Sequence, residues 1–394
     1  MVLSLLLIFS FVIFFISLIF LIIGINARKS KRKKDFFPNV SVISWFWKDG
    51  NIVERKIKNF LSLKYPGNYE IIIVDNASED KTKKICKKYA KKGLIKYYRT
   101  PRKYDRKAFG LNEAIKKVAK FDILAMTDPD GVCEKDWLTT LVQPFKDKKV
   151  GAVIGMTHCG NFYKNFFTKI RAVEDEWMYV IYPLGRVFGK NVHFICGANY
   201  AVRRKALKSV GYHGKKTLAE DLELSIQLYN KGWEVKVSDA DVWQEEVQNT
   251  REYIRQRLRW QNATLEVFKF YSKKIFKIFK KRPFGFFLSL ISYPIQIFSL
   301  FSLILMILGL FLSFNAFLIS LASFLIFNVA IIVGLIRFKR SRLIPYVPIF
   351  LVIDAFFMIY CLILLKNLEY IKKRIEWRTL YGKYYHAGSR LVLK

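Results

Sequence analysis

An α/β domain with a mainly parallel sheet, joined to transmembrane helices, is the architecture that three features of the sequence predict. From Asn39 to about Gly232, short apolar runs alternate with charged helical stretches, the pattern of a sheet covered by helices on both faces. Long apolar segments flank that region on either side. The composition agrees: of 394 residues 52% are hydrophobic while 25% are charged, which fits a soluble domain joined to membrane segments.

Val2 to Ile25 carries no charge and is long enough to cross ~30 Å of hydrocarbon as a helix. A cleaved leader places its basic residues before the apolar run, whereas here Arg28 to Lys34 follow it. Residues 1-27 therefore read as an uncleaved anchor that leaves the next segment in the cytosol. Val40 to Trp47 and Tyr69 to Asp75 read as strands, Asn51 to Leu63 and Lys107 to Val118 as helices, and Phe121 to Met126 as a further buried strand. In sheets of this kind ligands bind beyond the carboxyl ends of the strands. Asp75 and Asp128 stand at two such ends, so they are expected to converge on one crevice. Asp128 and Asp130 lie one residue apart in a turn enforced by Pro129 and Gly131, the outline of a metal and diphosphate site; taken alone, the same four residues also describe a plain turn. Asp75 alone also reads as a helix cap.

The net charge of +36 raises nucleic acid, an anionic bilayer or a phosphorylated substrate as partners, and the apolar spans favour the last two over nucleic acid. Five scattered cysteines without a Cys-x-x-Cys pair indicate neither a disulfide framework nor a zinc site. His158, His193 and His213 are too dispersed for a metal cluster and read as structural.

Farther on come Cys-Gly-Ala-Asn from Cys196, Ala-Glu-Asp ending at Asp221, and Gln256-Arg257-Leu258-Arg259-Trp260. In this order, with Asp75 and the Asp128 turn, the set resembles the membrane-bound inverting glycosyltransferases of family two, over roughly Val40 to Trp260. The resemblance implies a GT-A, Rossmann-like nucleotide-sugar domain and a cytosolic reaction at the cell membrane. It implies a UDP- or GDP-linked donor and a lipid or glycan acceptor. Asp130 would ligate Mg²⁺ or Mn²⁺ across the diphosphate, Asp128 would support the nucleotide, and Asp75 would accept a hydrogen bond from the base. Lys107 would touch phosphate, and Arg259 with Arg257 would clamp the charge developing on it. Asp221 would be the general base, with Glu220 beside it, Trp260 an apolar floor for the acceptor and Gln256 an orienting group. Where the family has Pro-x-Tyr-Asn-Glu this chain has Trp45-Phe46-Trp47-Lys48-Asp49, which alters the ribose contact. A processive polysaccharide synthase and a non-catalytic nucleotide-sugar-binding membrane protein are the alternatives.

The catalytic domain is expected over residues 38-262 and an interfacial amphipathic helix over 263-283, where Phe268, Tyr271, Ile275, Ile278 and Phe279 recur opposite a lysine face. About three spans follow over 284-366, broken at Ser313-Phe314-Asn315, with Asp354 inside the last of them. A basic tail, 367-394, completes the chain and is expected at the cytosolic face.

Overall fold

In the computed structural model, residues 2–26, 34–181, 192–292 and 295–365 are described; most of the basic cluster after the anchor and the tail lie outside them. The central sheet has the order β3-β2-β1-β4-β7-β6-β8-β5. Its strands are β1 (Val40–Phe46), β2 (Tyr69–Asp75), β3 (Lys96–Arg99), β4 (Ile123–Thr127), β5 (Val132–Cys133), β6 (Val150–Cys159), β7 (Asn199–Arg203) and β8 (Glu234–Gln244). β3, β2, β1 and β4 run parallel, and β7 is inserted antiparallel to both β4 and β6. The continuous burial of β1 and β4 follows from helices on both faces: a strand covered on both sides has no wet face to mark with polar residues.

Helices α1 (Val2–Asn26), α2 (Val53–Leu61), α3 (Thr82–Lys91), α4 (Lys107–Lys117), α5 (Trp137–Leu141), α6 (Phe166–Ile181), α7 (Arg204–Ser209), α8 (Glu220–Asn230) and α9 (Thr250–Lys281) accompany these strands. The strand and helix expectations hold to within a few residues, and α9 runs across residue 262. One helix of 32 residues, capped by the Asn249 side chain, carries both Gln256 to Trp260 and the lysine-rich stretch, because no breaker separates them. Its apolar stripe also differs from a wholly lipid-facing one. Tyr271 and Ile278 are buried and join the domain core beside Ile226 and Leu228 of α8, while Phe268, Phe270, Phe276 and Phe279 stay exposed. Tyr271 donates to Glu223 and Lys274 to Gln227 at 2.6 Å.

After α10 (Pro283–Ser292) come α11 (Ile295–Leu312), α12 (Phe314–Arg337) and α13 (Val347–Leu365). Among the described residues four segments are long and apolar enough to cross a membrane: Val2–Asn26, Ile295–Leu312, Phe314–Arg337 and Ser341–Cys361. The expected hairpin stands at Ser313, whose side chain caps α12 by accepting from Ala316. Between these helices large apolar side chains such as Phe20, Ile23, Phe327 and Ile331 interleave with small and polar residues such as Ser10, Gly24 and Ser320, which let the backbones approach closely. Ser320 donates to Ser10 at 3.0 Å, and Phe20 of α1 lies 5.6 Å from both Trp177 of α6 and Phe327 of α12. Gly24 lies so near α12 that a Cβ there would stand 2.3 Å from the Ala330 carbonyl oxygen. Gly24→Val is therefore expected to lower stability by about 1–3 kcal/mol through overpacking. Thermal unfolding in detergent reads this, and an unchanged midpoint would contradict the crossing.

Candidate active site

A cavity of about 1120 Å³ opens past the ends of β1, β2 and β4 and runs towards the membrane helices. It is lined by Asp128, Asp130, Lys107, Glu220, Asp221, Gln256, Arg257, Arg259 and Trp260, so the structure gathers nine of the ten residues singled out from the sequence. Asp75 is the exception. It is fully buried, accepting from the Ser78 amide at 2.9 Å, the Tyr97 hydroxyl at 2.5 Å and Arg99 at 2.7 Å. Its carboxylate braces the strand-end loop, and the next residue, Asn76, reaches the cavity wall together with Trp47 and Tyr104.

The Asp128 turn rests on two lysines. Lys107, the first residue of α4, donates to Asp128 Oδ1 at 2.5 Å. Burial pulls its proton affinity down, but Asp128, Glu220 and Asp221 outweigh that and raise it, so it stays a cation. Lys56 was not singled out from the sequence. It is 1% exposed and donates to the Gly131 carbonyl at 2.5 Å and to Thr127 Oγ1 at 3.3 Å. A signal for it exists: with Val53, Ile57 and Phe60 it falls on the apolar stripe of α2, where a charge needs a buried partner.

Asp130 has the character of a cation ligand. Its Oδ1 is buried without a hydrogen-bond partner, and burial, then the Asp128 charge, push its carboxyl up to about 7 against the pull of Lys56. Asp49 on the same wall is likewise raised to about 7, by burial first and then by Asp130, Asp80 and Asp128. An excess of carboxylates with an unmet oxygen suits a hard divalent cation. Among the described residues no group of three His, Cys, Asp or Glu side chains could hold a metal, so protein ligands alone do not complete a shell.

Asp221 opens α8 and is held from two sides: Oδ2 accepts from the Gly197 amide at 2.6 Å and Oδ1 from Leu222 at 2.8 Å. Gly197 is required there, because a Cβ would sit 2.9 Å from that oxygen. Burial raises the proton affinity of Asp221 even against these two donors. Burial and then Asp221 push Glu220 up to about 7. A buried carboxyl with raised affinity, oriented by backbone donors, is equipped to take a proton. Asn199 knots this region together, donating to the Met156 and Ala240 carbonyls at 2.8 Å each and accepting from Trp137 at 2.9 Å. The arginines that follow it serve the backbone: Arg204 donates to the Ile115, Ala119 and Phe121 carbonyls.

At the other end of the cavity, Arg257 does not stand ready as a phosphate clamp. It forms a two-point pair with Glu174 of α6, at 2.7 Å through Nη1, and lies 3.6 Å from Asp354 of α13. Arg259 and Trp260 line the cavity beside it; the Trp260 ring, 38% exposed, carries the Arg171 and Arg257 guanidiniums at 5.5 and 5.2 Å.

His158 and His213 are both buried and hydrogen-bonded. His158 lies 2.8 Å from Glu176 and 3.4 Å from Asp241. His213 is sealed between Asn112 and Tyr200 at 3.0 and 2.8 Å, and burial, then the Lys107 charge, pull it down to about 3. The unfolded chain binds a proton near pH 6.5 that the folded site refuses, so this stability is complete above that pH and falls as pH drops towards 3. Wild type should lose up to about 1.4 kcal/mol per pH unit below pH 6, and His213→Gln should lack that component in pH-dependent thermal melts. Parallel melts would contradict the sealed site.

A model of glycosyl transferase family 2 matches residues 41–211. A probable glycosyltransferase, YdaM, of Bacillus subtilis is 29% identical over 65% of this chain and 62% of its own length. The beta-monoglucosyldiacylglycerol synthase of Trichormus variabilis is 29% identical over 58% of this chain and 50% of its own. The chain thus spans about half to three fifths of these curated relatives. In fold it is similar to the mannosyltransferase PcManGT of Pyrobaculum calidifontis, solved with GDP-Man and Mn²⁺, with a TM-score of 0.54 at 18% identity over 89% of this chain and 99% of that one.

Proposed function

We propose, from the premise that residues 41–211 form a glycosyl transferase family 2 domain of GT-A fold, that the protein transfers a sugar with inversion from a nucleotide-sugar to an acceptor at a membrane. The observation that carries this is a single cavity with Lys107, Asp128 and Asp130 at one end, Asp221 on its wall and Trp260 at the membrane side. The names of the relatives support a lipid or glycan acceptor, and the Mn²⁺ in PcManGT supports a divalent metal, Mg²⁺ or Mn²⁺, beside Asp130. Such an ion would neutralise charge on the leaving diphosphate. Four helices long and apolar enough to cross a membrane support a domain beside a bilayer, on our reading the cell membrane with the domain cytosolic.

Each residue then has a task. Lys107 and Asp128 fix the turn against the donor phosphates, and Arg259 adds a guanidinium where negative charge grows. Asn76, Trp47 and Tyr104 surround the nucleoside, with Asp75 holding the loop behind them. The acceptor hydroxyl loses its proton to Asp221 as its oxygen bonds to the anomeric carbon. The bond from that carbon to the diphosphate oxygen breaks on the opposite side, and the nucleoside diphosphate leaves with the electron pair. On this reading the acceptor oxygen displaces the diphosphate directly, in one displacement, hence with inversion. Gln256 and Trp260 border the acceptor side.

Diphosphate release across a donor panel tests this. Asp221→Asn should lower kcat by at least about a hundredfold while donor affinity stays within twofold, and Asp130→Ala should weaken metal-dependent donor binding. Undiminished turnover in Asp221→Asn would overturn the assignment.

A further inference from the structure

Three side chains of α2 reach one short stretch of backbone just after Asp128. Arg55 donates to the Asp130 carbonyl at 3.4 Å and Lys56 to the Gly131 carbonyl at 2.5 Å. Asn59 donates to the Cys133 carbonyl and accepts from the Cys133 amide, at 2.8 Å each way. A single helix thus fixes the path of the chain from Asp130 to Cys133, and the second bond from Lys56, at 3.3 Å, ties in Thr127. A Cβ on Gly131 would stand 2.9 Å from Thr127 Oγ1, so the turn is tightly packed from within as well. Its shape is set by the protein alone.

Of the three, only Lys56 is sealed from water. Its ammonium lies 4.7 Å from the centre of the Phe60 ring. Burial lowers its proton affinity from the ordinary 10.5, while Cys133, Asp130 and Asp128 act in the opposite direction. The charges above it are unevenly met. Lys107 engages Asp128 at 2.5 Å, whereas Oδ1 of Asp130 is buried without a hydrogen-bond partner among the described residues, and Asp49 stands on the same wall. Lys56 is therefore a fixed positive charge beneath the carboxylate best suited to a cation. Like charges repel strongly where water is excluded, so a bare divalent ion approaching Asp130 meets an ammonium already in place. A divalent ion that carries a diphosphate meets little opposition, because the phosphate charge is attracted to that ammonium while the metal charge is repelled.

We propose that Lys56 is a positioning residue that shapes the Asp128 to Gly131 turn in the absence of an ion and disfavours the bare ion, so that the site takes a divalent cation together with a nucleoside diphosphate and not alone. The inference rests on the glycosyltransferase reading for the diphosphate; the effect of Lys56 on the bare ion is independent of it.

Titration of the full chain in nanodiscs with Mn²⁺, read by electron paramagnetic resonance, tests this without turnover. Wild type should bind Mn²⁺ at least about tenfold more tightly with UDP or GDP than without. Lys56→Gln keeps a donor for the Gly131 carbonyl but no charge. It should tighten bare Mn²⁺ at least about tenfold and change the affinity for the Mn²⁺–diphosphate pair by less than about threefold. Asp130→Ala in that background should abolish the tightened site. Damage to the turn would weaken both, so a gain for the bare ion is a result that a merely structural lysine does not produce. Bare Mn²⁺ binding that is unchanged or weaker in Lys56→Gln, with a thermal melt matching wild type, overturns the inference. Should that variant not fold, the two wild-type titrations decide, and equal affinity with and without nucleotide overturns it. If neither UDP nor GDP binds and no nucleotide-sugar is cleaved, while Lys56→Gln still tightens bare Mn²⁺, the glycosyltransferase reading fails and the role of the Lys56 charge stands.

Discussion

Glu174 joins the two halves of the molecule. It sits on α6, against the membrane helices, and is clasped by Arg171 of its own helix and Arg257 of α9, while Arg257 also reaches Asp354 on α13. Burial opposes its ionisation, but the two guanidiniums prevail and hold its carboxyl well below the usual range. Breaking such a pair leaves a lone charge in a dry place, at a cost of about 3–5 kcal/mol, so three helices are locked in one arrangement. The turn from Gln256 to Trp260 belongs to that arrangement, and so the membrane side of the cavity is shaped by contacts with membrane helices.

The Asp128 end of the cavity depends on the same principle in a different place. Lys56 beneath the Asp128 turn and Lys107 beside it supply fixed positive charge to a loop that carries two carboxylates. A long cavity therefore has cations under its Asp128 end and ion-paired carboxyl groups around its Trp260 end. That gradient follows from which helices border each part of it.

Much of this was legible in the chain. Asp75 and Asp128 stand at strand ends because β2 and β4 are uninterrupted apolar runs, and the order of the later motifs brings Asp221 and Gln256 to Trp260 to one cavity. Lys56 is legible too, as a charge inside the apolar stripe of α2. The partner of Arg257 was not: Glu174 lies 83 residues away, and no local pattern encodes a pairing made by tertiary packing. For the same reason the apolar stripe of α9 suggested lipid, whereas α8 covers part of it. Asp75 illustrates the converse, since a strand-end aspartate is visible in sequence but Tyr97 and Arg99, which engage it, come from the neighbouring strand.

The central claim is a single displacement driven by one base, Asp221, across a cavity with the donor at one end and the acceptor at the other. The anomeric configuration of the product tests it most directly. With a donor whose sugar is α-linked to the diphosphate, proton NMR of the isolated product should show a β linkage; an α-linked product would contradict the account, because retention requires a second displacement.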